Sequence, residues 1–328
     1  MTLIISRSEV ESVLTMEDSI AVTEIAFTEL AYGNVNMPQR TVIPVQEHSG
    51  TFLAMPAYIG GKLDALGLKL VTVYPNNPSK YQLPTIMGTL QLCDQHTGEV
   101  IAIMDAAYLT AVRTGAASGV ATKYLARENS TICTVFGAGA QAQKQIEAMV
   151  QVRPIEKILV IANSLESSQS FADDMSEALN ISIVASDDIE SAIKQSDIVV
   201  TATSSQEPLF DGNWLQAGTH INNIGSHSVN ARELDTATVV RSKFVADLKE
   251  ANLAEAGDIL IPIQEGAVTE DKIYTNLGDI VIGNKPGREN DDEITVFKSC
   301  GLAIQDISTA LAVYKAAMEK NIGTEISL

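Results

Sequence analysis

Cysteine is scarce: the 328 residues carry only Cys93, Cys133 and Cys300, with no CxxC pair. That leaves no disulfide framework and no thiolate zinc motif, and it fits a reducing cytoplasm. No His/Cys/Asp/Glu cluster has the spacing of a metal site, so no metal is expected. Basic residues are few as well. Lys and Arg number 22 against 41 Asp and Glu, a net charge of −19, which argues against nucleic acid or an anionic membrane as partner. No stretch approaches the ~20 apolar residues of a membrane span. The opening MTLIISRSEV has neither the apolar run nor the cleavage pattern of a signal peptide, so a cytoplasmic protein is expected. Internal repeats, low-complexity tracts and a nucleophile-elbow serine are also missing. What remains is 45% hydrophobic, enough for a sizeable core, and long enough for two domains.

The most informative stretch is 131–142, TICTVFGAGAQA. A strand rich in β-branched and aromatic residues runs at once into Gly137-Ala138-Gly139 and then into a helical segment, QAQKQIEAMVQV. Strand, glycine turn and helix in that order form a dinucleotide-binding fingerprint. Gly137 permits the tight turn. Gly139 lacks a Cβ, so a pyrophosphate can approach the backbone. Ala142 is the third small position, and the N–H groups opening the helix, at Ala140 and Gln141, face the diphosphate.

GxGxxA alone is a weak signal, but the β/α alternation after it is not. Strands are expected at 157–162, 181–185, 197–203, 219–224 and 243–247, with helical or loop segments between them, the pattern of a parallel sheet with right-handed crossovers. Ligand contacts then fall on the loops at the carboxyl ends of strands: Asn163 and Ser164 after the second, Thr203 after the fourth, Gly225 and His227 after the fifth. Positions 163–164 offer neither an acid for a ribose hydroxyl nor an arginine for a 2′-phosphate, so NAD and NADP both stay open.

The first hundred residues read differently. A strand at 3–5 is followed by two capping boxes, Ser6 with Glu9 and Thr15 with Asp18, each opening a helix. The second helix runs to about Tyr32, and Gly33 stops it. Strands follow around 41–46, 51–55, 67–73, 85–93 and 99–104, with a loop at 75–78 and a hairpin turn at 94–98. This predicts a mostly antiparallel sheet with helices on one side, a place for a small substrate rather than a dinucleotide. Asp105 caps a helix reaching 126. From Asp292 the chain reads ITVFKSCG and then a helix over 302–320, whose apolar face is expected to return to the first section.

Three cations stand out there: Arg40, Lys69 and Arg113. Each could simply pair with one of the many carboxylates. Lys69, however, lies inside the apolar strand GLKLVTV, where it needs a partner or a depressed pKa. Gly67 and Val71 share its side of the strand, so room for a ligand is expected above it. A carboxylate substrate would suit a guanidinium fork. His227, in the region where nicotinamide chemistry is done, is a candidate proton carrier, although a lone histidine is more often structural.

In these features the chain resembles the ornithine cyclodeaminase and mu-crystallin family, which also contains the archaeal-type alanine dehydrogenase and ketimine reductases. The resemblance covers nearly the whole chain: MPQR at 37–40, AMPA at 54–57, GLKLVTVYPNN at 67–77, LPTIMG at 83–88, TGEVIAIMDAAYLTAVRTGAAS at 97–118, GAGAQA at 137–142, THINNIGS at 219–226, REL at 232–234 and DEITVFKSCGLAIQD at 292–306. It implies an α/β fold with a Rossmann-type dinucleotide-binding domain, 113–301, plus a discontinuous α+β substrate-binding and dimerisation domain, 1–112 and 302–328, paired as a homodimer. It also implies that Arg40, Lys69 and Arg113 hold an amino-acid carboxylate.

Two departures turn the expectation away from ornithine. His227 stands where the cyclodeaminase has a catalytic aspartate, and Leu53 where an acidic residue precedes the Met-Pro pair; both changes remove a negative partner for a second amino group. The archaeal-type alanine dehydrogenase also differs, with a lysine where this chain has Arg40. The expected function is an NAD(P)-dependent oxidoreductase acting on a small L-amino acid or a cyclic or linear imine, with Lys69 and His227 as catalytic groups. Two alternatives remain: an ornithine cyclodeaminase-type ammonia lyase using bound NAD, and a mu-crystallin-like nucleotide-dependent binding protein.

Overall fold

The computed structural model describes residues 1–226 and 228–328, so His227 lies outside the described residues. The chain divides into two compact units, Met1–Arg113 with Leu302–Leu328, and Thr114–Gly301.

The first unit opens with β1 (Thr2–Ile5), α1 (Arg7–Val13) and α2 (Met16–Ala31). Both helices start where their caps predict. The Glu9 carboxylate accepts from the N–H and hydroxyl of Ser6, and the Thr15 hydroxyl accepts from the Asp18 N–H at 3.1 Å. Beyond α2, Gly33 adopts φ +76°, a left-handed stop. Next come β2 (Val35–Asn36), β3 (Thr41–Val45), β4 (Gly50–Ile59), β5 (Ala65–Val73), α3 (Asn77–Tyr81), β6 (Ile86–Cys93), β7 (Val100–Asp105) and α4 (Ala107–Leu125). The expected loop at 75–78 instead leads into α3, because Pro78 falls in the helix's first turn, where a missing N–H costs nothing. Asp105 secures the start of α4 by accepting from the Tyr108 N–H at 3.0 Å. The division between the units falls within α4.

The second unit alternates strand and helix: β8 (Ile132–Phe136), α5 (Ala140–Val152), β9 (Lys157–Ile161), α6 (Leu165–Leu179), β10 (Ser182–Ala185), α7 (Ile189–Gln195), β11 (Ile198–Thr201), β12 (His220–Asn223), α8 (Thr236–Arg241), β13 (Lys243–Ala246), α9 (Lys249–Glu255), α10 (Gly257–Gln264), β14 (Ile273–Asn276), α11 (Leu277–Val281) and β15 (Thr295–Lys298). Its eight strands lie in the order β10-β9-β8-β11-β12-β15-β13-β14, and every pair is parallel. The chain steps outward from β8 to β10, then resumes on the other side of β8 with β11. That reversal is the topological switch point of a Rossmann-type sheet, outside whose strand ends ligands bind. Val135, Val160, Val199, Ile221 and Val296 are buried in it, as a sheet covered on both faces requires. The sequence reading placed six of these strands and missed β14 and β15. The latter, TVFK, is inserted between β12 and β13.

The chain then returns to the first unit with α12 (Ala303–Lys320) and β16 (Thr324–Ile326). There the sheet order is β16-β1-β7-β6-β5-β4-β2, with β3 also on β4. It is mostly antiparallel, except that β1 joins β7 in parallel. Helix α12 packs against α2 and across β4, β5 and β6, and this placement decides what Lys69 meets.

Candidate functional site

In the second unit the backbone itself builds the first site. Gly137 ends β8 at φ +115°, and a Cβ there would meet the Ala202 carbonyl at 2.6 Å, so only glycine serves. Its N–H donates to the Ile161 carbonyl at 2.8 Å. Ala138 leads to Gly139, whose extended backbone (φ −106°) caps α5. A Cβ on Gly139 would meet nothing within 4 Å, which leaves open space where an anion would approach. Ala140, Gln141 and the buried Ala142 form the first turn of α5, where N–H groups lack intrahelical acceptors. This cradle fits a diphosphate. The neighbouring loop after β9 carries Asn163 and Ser164; the Ser164 hydroxyl caps α6 by accepting from the Ser167 N–H at 3.1 Å.

On the other side of the switch point, the loops after β11 and β12 meet on a residue that sequence reasoning missed. Glu233 is buried and accepts from both Thr203 and Gly225, the two candidates assigned to these loops. Burial pushes its carboxyl above the ordinary glutamate value, against the pull of Lys298 and the Thr203 hydrogen bonds.

The second site lies in the first unit. Lys69, 2% exposed, donates from Nζ to Asp306 Oδ1 at 2.8 Å. Arg113 Nε lies 2.8 Å from the same oxygen, and its NH1 donates to Gln305 Oε1 at 2.6 Å. Asp306 Oδ2, fully buried, has no hydrogen-bond partner among the described residues. Burial pushes the Lys69 ammonium down to about 8; Asp306 pulls it back up, while Arg113 and Arg40 push it further down. Arg40 is half-buried on the segment between β2 and β3. The three predicted cations therefore influence one another, with a single carboxylate in direct contact with two of them. The expected open room beside Lys69 is corrected: a Cβ at Gly67 would meet Ile307 Cδ1 at 2.7 Å, because α12 covers that side of β5. On that side Lys69 meets a helix-borne acid, Asp306.

Asp306 and Gln305 were not singled out from the sequence, although a signal existed. Asp306 lies beside Ala303, Ile307 and Ala310 on the apolar face of its helix, where an acid needs a partner. Among the described residues no group of three or more His, Cys, Asp or Glu side chains could hold a metal ion, and no helix is long and apolar enough to cross a membrane.

Comparison with known proteins gives the family. The model of the ornithine cyclodeaminase/mu-crystallin family matches residues 1–321. A Δ1-pyrroline-2-carboxylate reductase of Bacillus cereus is 40% identical over 325 residues, covering 99% of each chain. The structure of Thermococcus litoralis Δ1-pyrroline-2-carboxylate reductase in complex with NADH and L-proline superposes with a TM-score of 0.95 at 45% identity, covering 99% of this chain and 100% of that one. An archaeal alanine dehydrogenase dimer with bound NAD gives a TM-score of 0.93 at 37% identity, covering 100% and 99%.

Proposed function

This chain belongs to the ornithine cyclodeaminase/mu-crystallin family, and we propose that within it the protein reduces a small cyclic α-imino acid of the Δ1-pyrroline-2-carboxylate kind. It is an NAD(P)-dependent oxidoreductase of imines and amino acids. The first unit serves as the substrate-binding and dimerisation domain, and the second as the dinucleotide-binding domain. The observation that carries the reading is that Lys69 and Arg113 share one oxygen of a single buried carboxylate, two cations on one anion. A buried surplus of this sign is costly unless an anion completes it, and the substrate carboxylate is that anion. The reductase relatives support the ring imine over an open-chain substrate.

Arg113 and Arg40 hold the carboxylate, the planar fork suiting its two oxygens. Lys69 Nζ carries a proton whose affinity burial has lowered toward neutrality, so it donates to the imine nitrogen as that atom becomes an amine. When bound, the reduced nicotinamide supplies the hydride taken up by the imine carbon. His227, next in sequence after Gly225 and Ser226, is assigned a supporting role as a polar or proton-carrying group.

A dimer is supported by Val42 and Ile43, which stand 53% and 50% exposed on β3, and by the dimeric archaeal relative. Three free thiols favour the cytoplasm. The test is the absorbance of reduced cofactor with Δ1-pyrroline-2-carboxylate, with pyruvate plus ammonia, and in reverse with L-proline, L-alanine and L-ornithine. Net oxidation of NADH or NADPH by the ring imine is expected. Ammonia released from ornithine without net cofactor change would replace this reading with the cyclodeaminase one, and ligand binding without any turnover would leave a binding protein.

A further inference from the structure

Among the charged side chains that the second unit buries, three that the proposed chemistry does not use are linked to one another: Glu233, Asp258 and Lys298, each 0% exposed. Their bonds form a closed circuit. Glu233 Oε1 accepts from the Thr203 N–H at 2.8 Å and from its hydroxyl at 2.7 Å. Oε2 accepts from the Thr201 hydroxyl at 2.8 Å, the Asn223 amide at 3.1 Å and the Gly225 N–H at 2.8 Å. The backbone N–H groups of Glu233 and Leu234 donate to Asp258 Oδ1 at 2.7 and 3.0 Å. Asp258 Oδ2 pairs with Lys298 Nζ at 2.9 Å, and Lys298 Nζ donates to the Ser226 carbonyl at 2.5 Å. The circuit thus closes at Ser226, next in the chain to the Gly225 it left. The loops are pressed together as well: a Cβ at Gly225 would meet the Thr203 carbonyl at 2.2 Å and Glu233 Oε1 at 2.4 Å.

Burying three charges is a poor way to gain stability, since a well-packed apolar cluster does as well or better. The circuit's reach is narrow: it holds the loop after β11 and the turn after β12. Both follow strands on the far side of the switch point from β9. In a sheet that binds a dinucleotide across that point, the strand after the glycine motif serves the adenosine half, and the strands beyond the switch serve the other half. We propose that Glu233, backed by Asp258 and Lys298, is a positioning residue for the nicotinamide half of the cofactor: it fixes the Thr203 loop and the Gly225–Ser226 turn at one separation. This rests on the NAD(P) reading above and names the part of the chain that sets nicotinamide placement.

Glu233→Gln is the discriminating change. An amide has one acceptor and one donor, so whichever way it turns its NH2 faces the Thr203 N–H or the Gly225 N–H, and one loop loses its anchor. Titrations of NADH and of ADP-ribose, which lacks the nicotinamide, are compared in the same variant. NADH affinity is expected to fall at least tenfold, while ADP-ribose, held by the 137–142 cradle, stays within about twofold of the parent. A merely structural role would weaken both ligands together, and that result, or unchanged NADH affinity, overturns the proposal. If the Gln variant does not fold, Thr201→Val removes one donor to Oε2 and is expected to show the same selective loss, smaller in size; equal loss of both ligands there is equally fatal. A parent that binds NADH but reduces no imine would overturn the substrate reading and leave these titrations to decide the clamp. A parent that binds neither nucleotide would overturn both.

Discussion

The two partners of the Lys69–Asp306 ion pair should respond to mutation with opposite signs. Asp306 Oδ1 is shared by Lys69 and Arg113, so the cluster holds two cations on one anion. Burial above all, opposed by Asp306 and reinforced by Arg113 and Arg40, lowers Lys69 from 10.5 to about 8, which at ~1.36 kcal/mol per unit makes its buried charge cost about 3 kcal/mol at neutral pH. Lys69→Met keeps the length, removes that cost and leaves Arg113 paired with Asp306. Its β-sheet neighbours in register, Met55 and Leu90, are apolar and can pack against a thioether. Urea unfolding at pH 7 should therefore find the variant as stable as the parent, or more stable by up to about 3 kcal/mol, while kcat/KM falls by roughly two to four decades, the range for a positioned proton donor. Asp306→Asn removes the carboxylate that Lys69 and Arg113 share and should cost ~3–5 kcal/mol, as for one partner lost from a buried pair. Saturating L-proline should raise the parent's midpoint through linkage and raise that of Lys69→Met less. Similar destabilisation by both substitutions would show an ordinary structural salt bridge with no surplus charge, and Lys69→Met with activity within a few-fold of the parent would remove Lys69 from the chemistry.

Three further outcomes are expected. Gly139→Val fits the extended backbone of its position, and its Cβ meets nothing within 4 Å, so the melting temperature should hold while dinucleotide affinity drops by an order of magnitude or more, ~1.4 kcal/mol; an unchanged titration would sink the cradle assignment. Because the folded pKa of Lys69, about 8, lies below its ordinary 10.5, the folded state sheds that proton first: its penalty is fully present below about 8 and is relieved as pH rises toward 10.5, and kcat/KM for reduction should descend through about 8, a limb absent from any residual activity of Lys69→Met. Light scattering at micromolar concentration should give twice the 35.1 kDa chain mass, and Val42→Lys with Ile43→Lys should shift it to the monomer; a monomeric parent contradicts the dimer.

What the sequence reveals, and what it hides, follows from the range of the forces involved. The glycine turn, the Ser6 and Thr15 caps and the Gly33 stop are local, each set within a few residues, and each forms as read. Strands β14 and β15, IYTN and TVFK, are the two of this sheet that the sequence reading misses. The place of β15 between β12 and β13 is a tertiary decision. The same holds for β1, which pairs in parallel with β7 nearly a hundred residues away. A lysine inside an apolar strand announces that it needs a partner, but nothing near it says which of 41 acids answers. The answer comes from Asp306, 237 residues on, once α12 covers β5.

The two buried charge clusters also show why a surplus charge can mean different things. Glu233 and Asp258 outnumber Lys298, yet five donors converge on the Glu233 carboxylate alone, so the negative surplus is met by hydrogen bonds within the fold and calls for no ligand. Around Lys69 the reverse holds. Asp306 Oδ1 is shared by two cations. The neutral amide oxygen of Gln305 is what meets Arg113 NH1, and an amide oxygen brings no charge to offset a guanidinium. A positive surplus answered by one shared carboxylate and a neutral amide is discharged by an anion from outside, and the anion that fits a guanidinium fork is a carboxylate. Charge balance thus separates a cluster satisfied inside the fold from one that, on the proposed function, takes a substrate carboxylate, even though both read in the sequence as charged residues among apolar neighbours.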